Sequence, residues 1–287
     1  MMKKINDIIG DAKTIGIAGH LRPDGDCMGS CMSLYNYLKK NRPDLDVRVF
    51  LEFVDKKFNI IENTDQIITT GYDGTKFDLF ISLDTASLDR LGLNLPFYEN
   101  AKRTACIDHH ASNDGYADYN YILPKASSAS EVLYDLLDED LIDKSIAEPM
   151  YMGIAHDSGV FRFQSTTPKT MRIAANMIEK GVNVNMILEE TFFRKTYNQM
   201  MVTAKIQSEA VLALDGKCIY GYCTSEMMEE YGVTTKDLDA VVASIRNVDG
   251  VEVAMFLYQL SEDSYKVSLR SKNYVDVSKI AVENGGG

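Results

Sequence analysis

Four histidines occur in 287 residues, and each has aspartates near it. His20 opens the stretch HLRPDGD, which also carries Asp24 and Asp26. Residues 106–114 read CIDHHASND, with Asp108 directly before His109 and His110. AHDSG supplies His156 and Asp157, and FDLFISLD ends on Asp84. Carboxylates and imidazoles converging without cysteine suit a hard-to-borderline divalent ion, Mn²⁺ ahead of Zn²⁺. Four or more acids in one cleft repel one another unless cations neutralise them or some hold protons. The ligands outnumber what one ion needs. Two ions about 3.5–4 Å apart, bridged by one carboxylate and a water, use them all. Such a pair makes the bridging water acidic and clamps the oxygens of an in-line phosphoryl displacement.

Each residue alone has a plainer reading. An aspartate after a strand is commonly a helix N-cap or a turn residue. His156 alone reads as a packed or surface histidine, and Asp78, Asp89 and Asp114 read as solvated turn residues. The set His20, Asp24, Asp26, Asp84, His109 and Asp157 gains its meaning from where its members fall in the pattern of elements.

That pattern alternates. Buried-strand runs cover 13–20, 47–52, 77–84 and 103–110. Helical spacing covers 27–40, with Met28, Cys31, Met32, Tyr35 and Leu38 on one face. Further helices are predicted at 128–139, where Ser128 and Glu131 suit a capping box, and at 144–155, where Pro149 is placed to kink the chain. Another runs over 168–180, with Thr167 as N-cap, Pro168 at its first position and Gly181 as its stop. The first part is thus expected to be an α/β domain over 1–182, a mostly parallel sheet with helices on both faces. Ligands of such sheets bind at the carboxyl ends of the strands, which is where the aspartates and histidines fall. An unbroken helical pattern over 183–210 is expected as a linker. A smaller α+β C-terminal domain is expected over 211–287, with hairpin turns at Asp215-Gly216 and near Glu262-Asp263 and helices at 225–231, 236–246 and 276–283.

Composition narrows the function. The net charge of −12 comes without a basic stripe, which argues against binding a long duplex nucleic acid. No apolar run is long enough to span a bilayer, and MMKKINDIIG reads as a first helix, not a signal peptide. Five cysteines at irregular spacing form no disulfide framework and point to the cytoplasm. Cys27 and Cys31 read as small buried residues of a helix face.

With these residues in view, the sequence resembles the DHH phosphoesterases over nearly its whole length. GHLRPDGDCMGS, SLDTA, IDHH and GIAHDSGVFRF are similar to that family's four motifs. SLRSKNYVDVSKIAVENGGG looks like the substrate-binding motif of the DHH-associated C-terminal domain. The size resembles the bacterial branch of oligoribonucleases (nano-RNases), 3′-phosphoadenosine-5′-phosphate (pAp) phosphatases and cyclic-di-AMP phosphodiesterases. The resemblance implies a metal-dependent phosphodiesterase or phosphatase with two Mn²⁺, or other divalent ions. One ion would sit on His20 and Asp24, the other on Asp26, His109 and Asp157, with Asp84 bridging. His110 would stand by the scissile phosphate, with Asp108 orienting it from behind. Arg270, Ser271 and the loop Gly285, Gly286, Gly287 would take the far phosphate. The implied substrate is a small nucleotide or short oligonucleotide, attacked at phosphorus by a metal-bridging hydroxide. A homodimer is compatible with this reading.

Two departures stand out. His156 occupies a place where the family usually has threonine, and it is expected to pack or to support the site. The glycine run stops at Gly287, so the C-terminal domain is expected to be cut short in its glycine-rich loop. Rival readings are an inorganic pyrophosphatase or exopolyphosphatase of the same superfamily, against which SLRS and GGG argue, and a RecJ-like single-strand exonuclease, which would be longer and more basic. A non-enzymatic nucleotide-binding module would lack some ligand, and none is missing.

Overall fold

The computed structural model describes residues 4–238 and 241–286. The chain forms two compact units, Met1–Arg194 and Lys195–Gly287.

In the first unit the strands are β1 (Thr14–Ala18), β2 (Asp46–Phe50), β3 (Leu79–Leu83), β4 (Thr104–Asp108) and β5 (Tyr119–Ile122). They form one sheet in the order β2-β1-β3-β4-β5, and every pairing is parallel. Central β3, LFISL, is buried at every position, because a parallel sheet is covered on both sides. The helices are α1 (Ile5–Ile9), α2 (Gly25–Asn41), α3 (Leu95–Glu99), α4 (Ala129–Leu136), α5 (Lys144–Asp157), α6 (Pro168–Glu179) and α7 (Val184–Leu188). One face of the sheet, with Ile15, Ile17, Leu79, Ile81 and Ile107, shares a core with α1, α2, α4, α5 and α6. The other, with Ala18, Phe50 and Phe80, packs on Leu91, Phe97 and Tyr98. Those residues lie on a 3₁₀ segment, Leu88–Asn94, and on α3. Helices therefore cover both faces, with the long α2, α5 and α6 all on the first.

The strand order reverses between β1 and β3. Crevices at such switch points are where open α/β sheets take their ligands. Close helix packing brings the next elements to that crevice. A Cβ on Gly29 of α2 would lie 2.5 Å from the Pro149 carbonyl oxygen and 2.8 Å from Gly153 Cα. Only glycines let α2 and α5 approach this closely. α5 runs through Pro149 as one helix. At α4 the expected capping box is half formed: Ser128 Oγ accepts from the Glu131 N–H at 3.0 Å. The Glu131 carboxylate turns instead to Ser127 Oγ and Thr170 Oγ1, both at 2.7 Å.

The helical pattern over 183–210 is not one helix. α7 passes into a π-helical turn, Glu189–Phe193, and the chain breaks before Thr196, which caps α8 (Tyr197–Glu209). The two stretches belong to different units. The second unit holds β6 (Val211–Ala213), β7 (Cys218–Cys223), α9 (Ser225–Tyr231), α10 (Val241–Ile245), β8 (Val253–Ser261), β9 (Ser264–Ser271) and α11 (Val277–Glu283). Its sheet runs β6-β7-β8-β9, antiparallel except for the β7/β8 pair. Both expected hairpins form, with positive φ at Leu214, Asp215 and Gly216 in the first turn. Ile219, Ala254, Phe256 and Tyr258 pack on Val202, Ile206, Val242 and Ile245 beneath this sheet.

Candidate metal centre

Four chain segments deliver the site at the carboxyl end of the first sheet. His20 follows β1 and is 9% exposed. Its Nδ1 faces the Leu21 carbonyl at 2.7 Å. A carbonyl only accepts, so Nδ1 carries a proton, and Nε2 is the ring nitrogen turned to the carboxylates. That Nε2 lies 3.3 Å from Asp84 Oδ2 and 3.7 Å from Asp24 Oδ1. Asp24 caps α2, accepting from the N–H groups of Asp26 and Cys27 at 3.0 and 3.1 Å. The plain N-cap reading of Asp24 is therefore correct as far as it goes, and its carboxylate also borders the cleft.

Asp26, in the first turn of α2, is almost fully buried. Its Oδ2 accepts from the Ala129 N–H at 2.6 Å and its Oδ1 from the Ser130 N–H at 3.0 Å. These are the first amides of α4, which have no partner inside their own helix. Asp84 follows β3 with φ +52, a left-handed conformation that aspartate tolerates better than most residues. The carboxylate stands between two imidazoles. Oδ2 faces His20, and Oδ1 faces His109 Nε2 at 3.5 Å. His109 Nε2 also lies 3.3 Å from Asp157 Oδ2 and 4.0 Å from Asp26 Oδ2. Its Nδ1 is turned to the Ala126 carbonyl at 3.4 Å.

His110 also borders the cleft but is held by a different partner. Its Nδ1 donates to Asp108 Oδ1 at 2.8 Å. Asp108 has no exposed surface, and its other oxygen accepts from Asn113 Nδ2 at 2.7 Å. Asn113 also donates to the Thr85 carbonyl at 3.1 Å. Sequence reasoning passed over Asn113, whose one signal is an amide five residues beyond a strand-end aspartate. Arg90 was also passed over, and it lines the cleft of about 190 Å³ with His20, Asp24, Asp84, Ala86, His109, His110 and Asp157.

The electrostatics describe a crowded group of acids. Burial, then the charges of Asp84 and Asp157, push Asp26 well above the ordinary carboxylate range. Burial lifts Asp157 to about 6 against the pull of His109, with Asp84 and Asp24 adding to the rise. On His20 burial opposes charge, but Cys27, Asp24 and Asp84 raise it to about 12. On His109 burial is likewise outweighed, by Asp84, Asp26 and Asp157, and the pKa rises to about 10. Protons thus gather where divalent cations would relieve the same repulsion. Donor sets Asp26/His109/Asp157, Asp84/His109/His110 and His20/Cys27/Asp84 each lie within 4.8 Å among the described residues. Apart from the Cys27 sulfur these are nitrogen and oxygen donors, and they fit divalent metal ions, whose binding would displace the imidazole protons.

His156 stands apart. Its Nε2 pairs with Thr191 Oγ1 at 2.8 Å, and its ring packs against Phe58 and Phe192. A Cβ on Gly25 would lie 2.1 Å from its Cγ, so it wedges behind the start of α2. Burial, then the charge of Lys57, lowers its pKa to about 4. Tyr119, Tyr121 and Phe161 are partly buried against the core. In the second unit Arg270 and Ser271 end β9, and Arg270 Nη1 donates to the Leu269 carbonyl at 2.9 Å. Gly285, with φ +79, follows the end of α11, and the Gly286 N–H donates to the Ala281 carbonyl at 2.8 Å. Gly287 lies outside the described residues.

Residues 14–154 match the DHH family, N-terminal domain, and residues 215–287 match the DHHA1 domain. The chain belongs to the DHH family of phosphoesterases and is a hydrolase. It is 31% identical to the bifunctional oligoribonuclease and PAP phosphatase NrnA of Thermus thermophilus, over 95% of this chain and 81% of that protein. With the protein of the same name from Bacillus subtilis it shares 26% identity, over 96% of this chain and 86% of that one. In fold it is similar to the crystal structure of an exopolyphosphatase-related protein from Bacteroides fragilis, with a TM-score of 0.89 at 23% identity, covering 98% of this chain and 86% of that one. A putative family II inorganic pyrophosphatase of Methanococcus jannaschii shares the fold more loosely, with a TM-score of 0.51 at 16% identity, over 90% and 87% of the two chains. Among the described residues no helix is long and apolar enough to cross a membrane.

Proposed function

We propose that this chain is a Mn²⁺-dependent phosphoesterase that hydrolyses short oligoribonucleotides and pAp, and that it also accepts pApA or cyclic-di-AMP. The observation that carries the reading is Asp84, buried, with its two oxygens facing the Nε2 atoms of two different histidines. One carboxylate shared in this way suits a bridging ligand of a metal pair. His20 and Asp24 would hold one ion. Asp26, His109 and Asp157 would hold the other. Once bound, two such ions supply Lewis acidity and acidify a water for attack at phosphorus near neutral pH.

The remaining roles belong to the chain's own groups. Asp108 fixes the Nδ1 proton of His110 and leaves Nε2 as the free ring nitrogen, able to give a proton to the departing oxygen. Asn113 holds Asp108 from the other side. Backbone amides of α4 hold Asp26 so that it need not move when a ligand arrives. Arg270, Ser271, Gly285 and Gly286 would take the distal phosphate. The names of the 31% and 26% identical relatives support the substrate class. The five free cysteines support a reducing, cytoplasmic setting. A homodimer is read by sedimentation.

The test is turnover on pAp, pApA, cyclic-di-AMP, a short RNA and pyrophosphate, each with Mn²⁺ and with Mg²⁺. Hydrolysis of the adenosine substrates with Mn²⁺, and poor rates with Mg²⁺, are expected, since imidazole ligands suit Mg²⁺ badly. Turnover of pyrophosphate alone would overturn the substrate class. Equal rates with both ions would overturn the ligand set.

A further inference from the structure

We propose that Arg90 is a catalytic residue that grips the non-bridging oxygens of the scissile phosphoryl group. The proposal rests on the reading of this cleft as a phosphoryl site and assigns a residue that the family motifs quoted above leave without a role.

Arg90 is the one cationic side chain apart from histidine among the residues lining the cleft, beside Asp24, Asp84 and Asp157. Three carboxylates would be expected to capture it. Yet among the described residues no carboxylate lies within 4.0 Å of its guanidinium, although three line the same cleft. An unpaired guanidinium beside an acid-rich cleft is free to take an anion. It offers a planar fork of donors that matches two phosphate oxygens.

Its side chain is exposed, but its backbone is fixed. The Leu21 N–H donates to the Arg90 carbonyl at 2.7 Å, and the Arg90 N–H donates to the Ser87 carbonyl at 3.1 Å. Next along the chain, Leu91 is buried in the aromatic cluster. At Gly92, with φ +53, a Cβ would lie 2.1 Å from Leu21 Cδ2. The turn carrying Arg90 is therefore stapled to the loop that carries His20 and Asp24. A fixed base reduces the ordering cost when a flexible side chain closes on a ligand. The acids line the cleft, and Arg90 is the exposed cation beside them. Divalent ions on the acids and Arg90 on the oxygens would face the phosphoryl group from different sides.

The experiment compares wild type, Arg90→Ala and Arg90→Lys, with Arg172→Ala as a surface control. Three quantities are read: Mn²⁺ stoichiometry and affinity by calorimetry, AMP affinity of the Mn²⁺-loaded proteins by calorimetry, and kcat/KM on pApA. Arg90→Ala is expected to keep Mn²⁺ binding within about twofold and to weaken AMP by about tenfold. It is expected to lower kcat/KM by about 10²-fold, the usual effect of losing one preorganised donor to a transition-state oxyanion. Added guanidinium restores part of the rate, and Arg90→Lys lies between, since lysine lacks the fork. AMP binding unchanged in Arg90→Ala overturns the proposal, as does Mn²⁺ affinity falling in parallel. A wild type that turns over nothing, with AMP still weakened in Arg90→Ala, would defeat the substrate assignment and leave Arg90 an anion clamp.

Discussion

Asp26 and Asp108 are both aspartates with almost no exposed surface, and they are held by opposite means. Both oxygens of Asp26 accept from backbone amides at the start of α4, and its other near neighbours include the acids Asp84 and Asp157. Asp108 is held by side chains, the His110 imidazole and the Asn113 amide. On Asp108 burial raises the pKa, but the bonds from His110 and Asn113 outweigh it and the group ends below its ordinary value. The bond to Asp108 is also the largest cause of the raised pKa of His110. Equal burial thus yields two different electrostatic roles. Like charges and fixed amides leave Asp26 a crowded acid whose repulsion a cation would relieve. A matched partner makes Asp108 an anion that orients an imidazole.

The comparison breaks first at the carboxylate both regions look onto. Asp84→Ala is expected to lose both metal equivalents and at least about 10³ in rate, with metal content by mass spectrometry as the check. Next comes the contrast itself. Asp26→Asn keeps an acceptor for α4 but removes the charge, so it should retain one ion of two and lose about 10²-fold in kcat. Its partner experiment, Asp108→Asn, should bind both ions and lose a similar factor through His110. If Asp108→Asn sheds a metal ion, or Asp26→Asn keeps both, the division of roles fails.

A pH effect sharpens the same pair. A carboxylate holds the His110 pKa up, so the imidazolium persists to higher pH than free histidine would allow. Asp108→Asn should therefore move the alkaline limb of kcat against pH to lower pH, with the His110 titration followed by NMR. Asn113→Ala leaves one oxygen of buried Asp108 without its donor. It should cost about 1–3 kcal/mol in urea unfolding and about tenfold in rate.

The smallest effect falls outside the comparison. His156 titrates at about 4 in the fold, below the free value near 6.5. The unfolded chain takes its proton first, so this residue removes stability as pH falls from about 6.5 towards 4. His156→Asn should flatten unfolding midpoints across that window. An unchanged slope would show that the buried ring does not govern it.

Much of this was open to a reader of the sequence, and the failures have physical reasons. The strands ending at His20, Asp84 and His109 were legible because central parallel strands are continuous apolar runs and their last polar residue is conspicuous. β5 was not. Tyr119–Ile122 is a half-exposed edge strand of alternating polarity, and four residues carry too little pattern. The short covering layer of Leu88–Asn94 and α3 escaped for the same reason. The break near Arg194 escaped because neither glycine nor proline marks it. What stops the helical pattern there is a π turn, in which Thr191 binds His156 and the Ile187 carbonyl, a tertiary choice. Asn113 meets Asp108 by its side chain and Arg90 meets Leu21 by its backbone, and such contacts leave no period in the chain.

The bond from Asp26 to the amides of α4 joins residues 103 positions apart. Measured in time, that separation is long. A ribosome adding about 5–20 residues per second releases the HLRPDGD loop roughly 5–20 s before the helix that must receive Asp26. Asp157, the last acid of the proposed site, follows later still. For that interval the first residues of the proposed site are made without their partners, and metal binding there would wait for the domain to close.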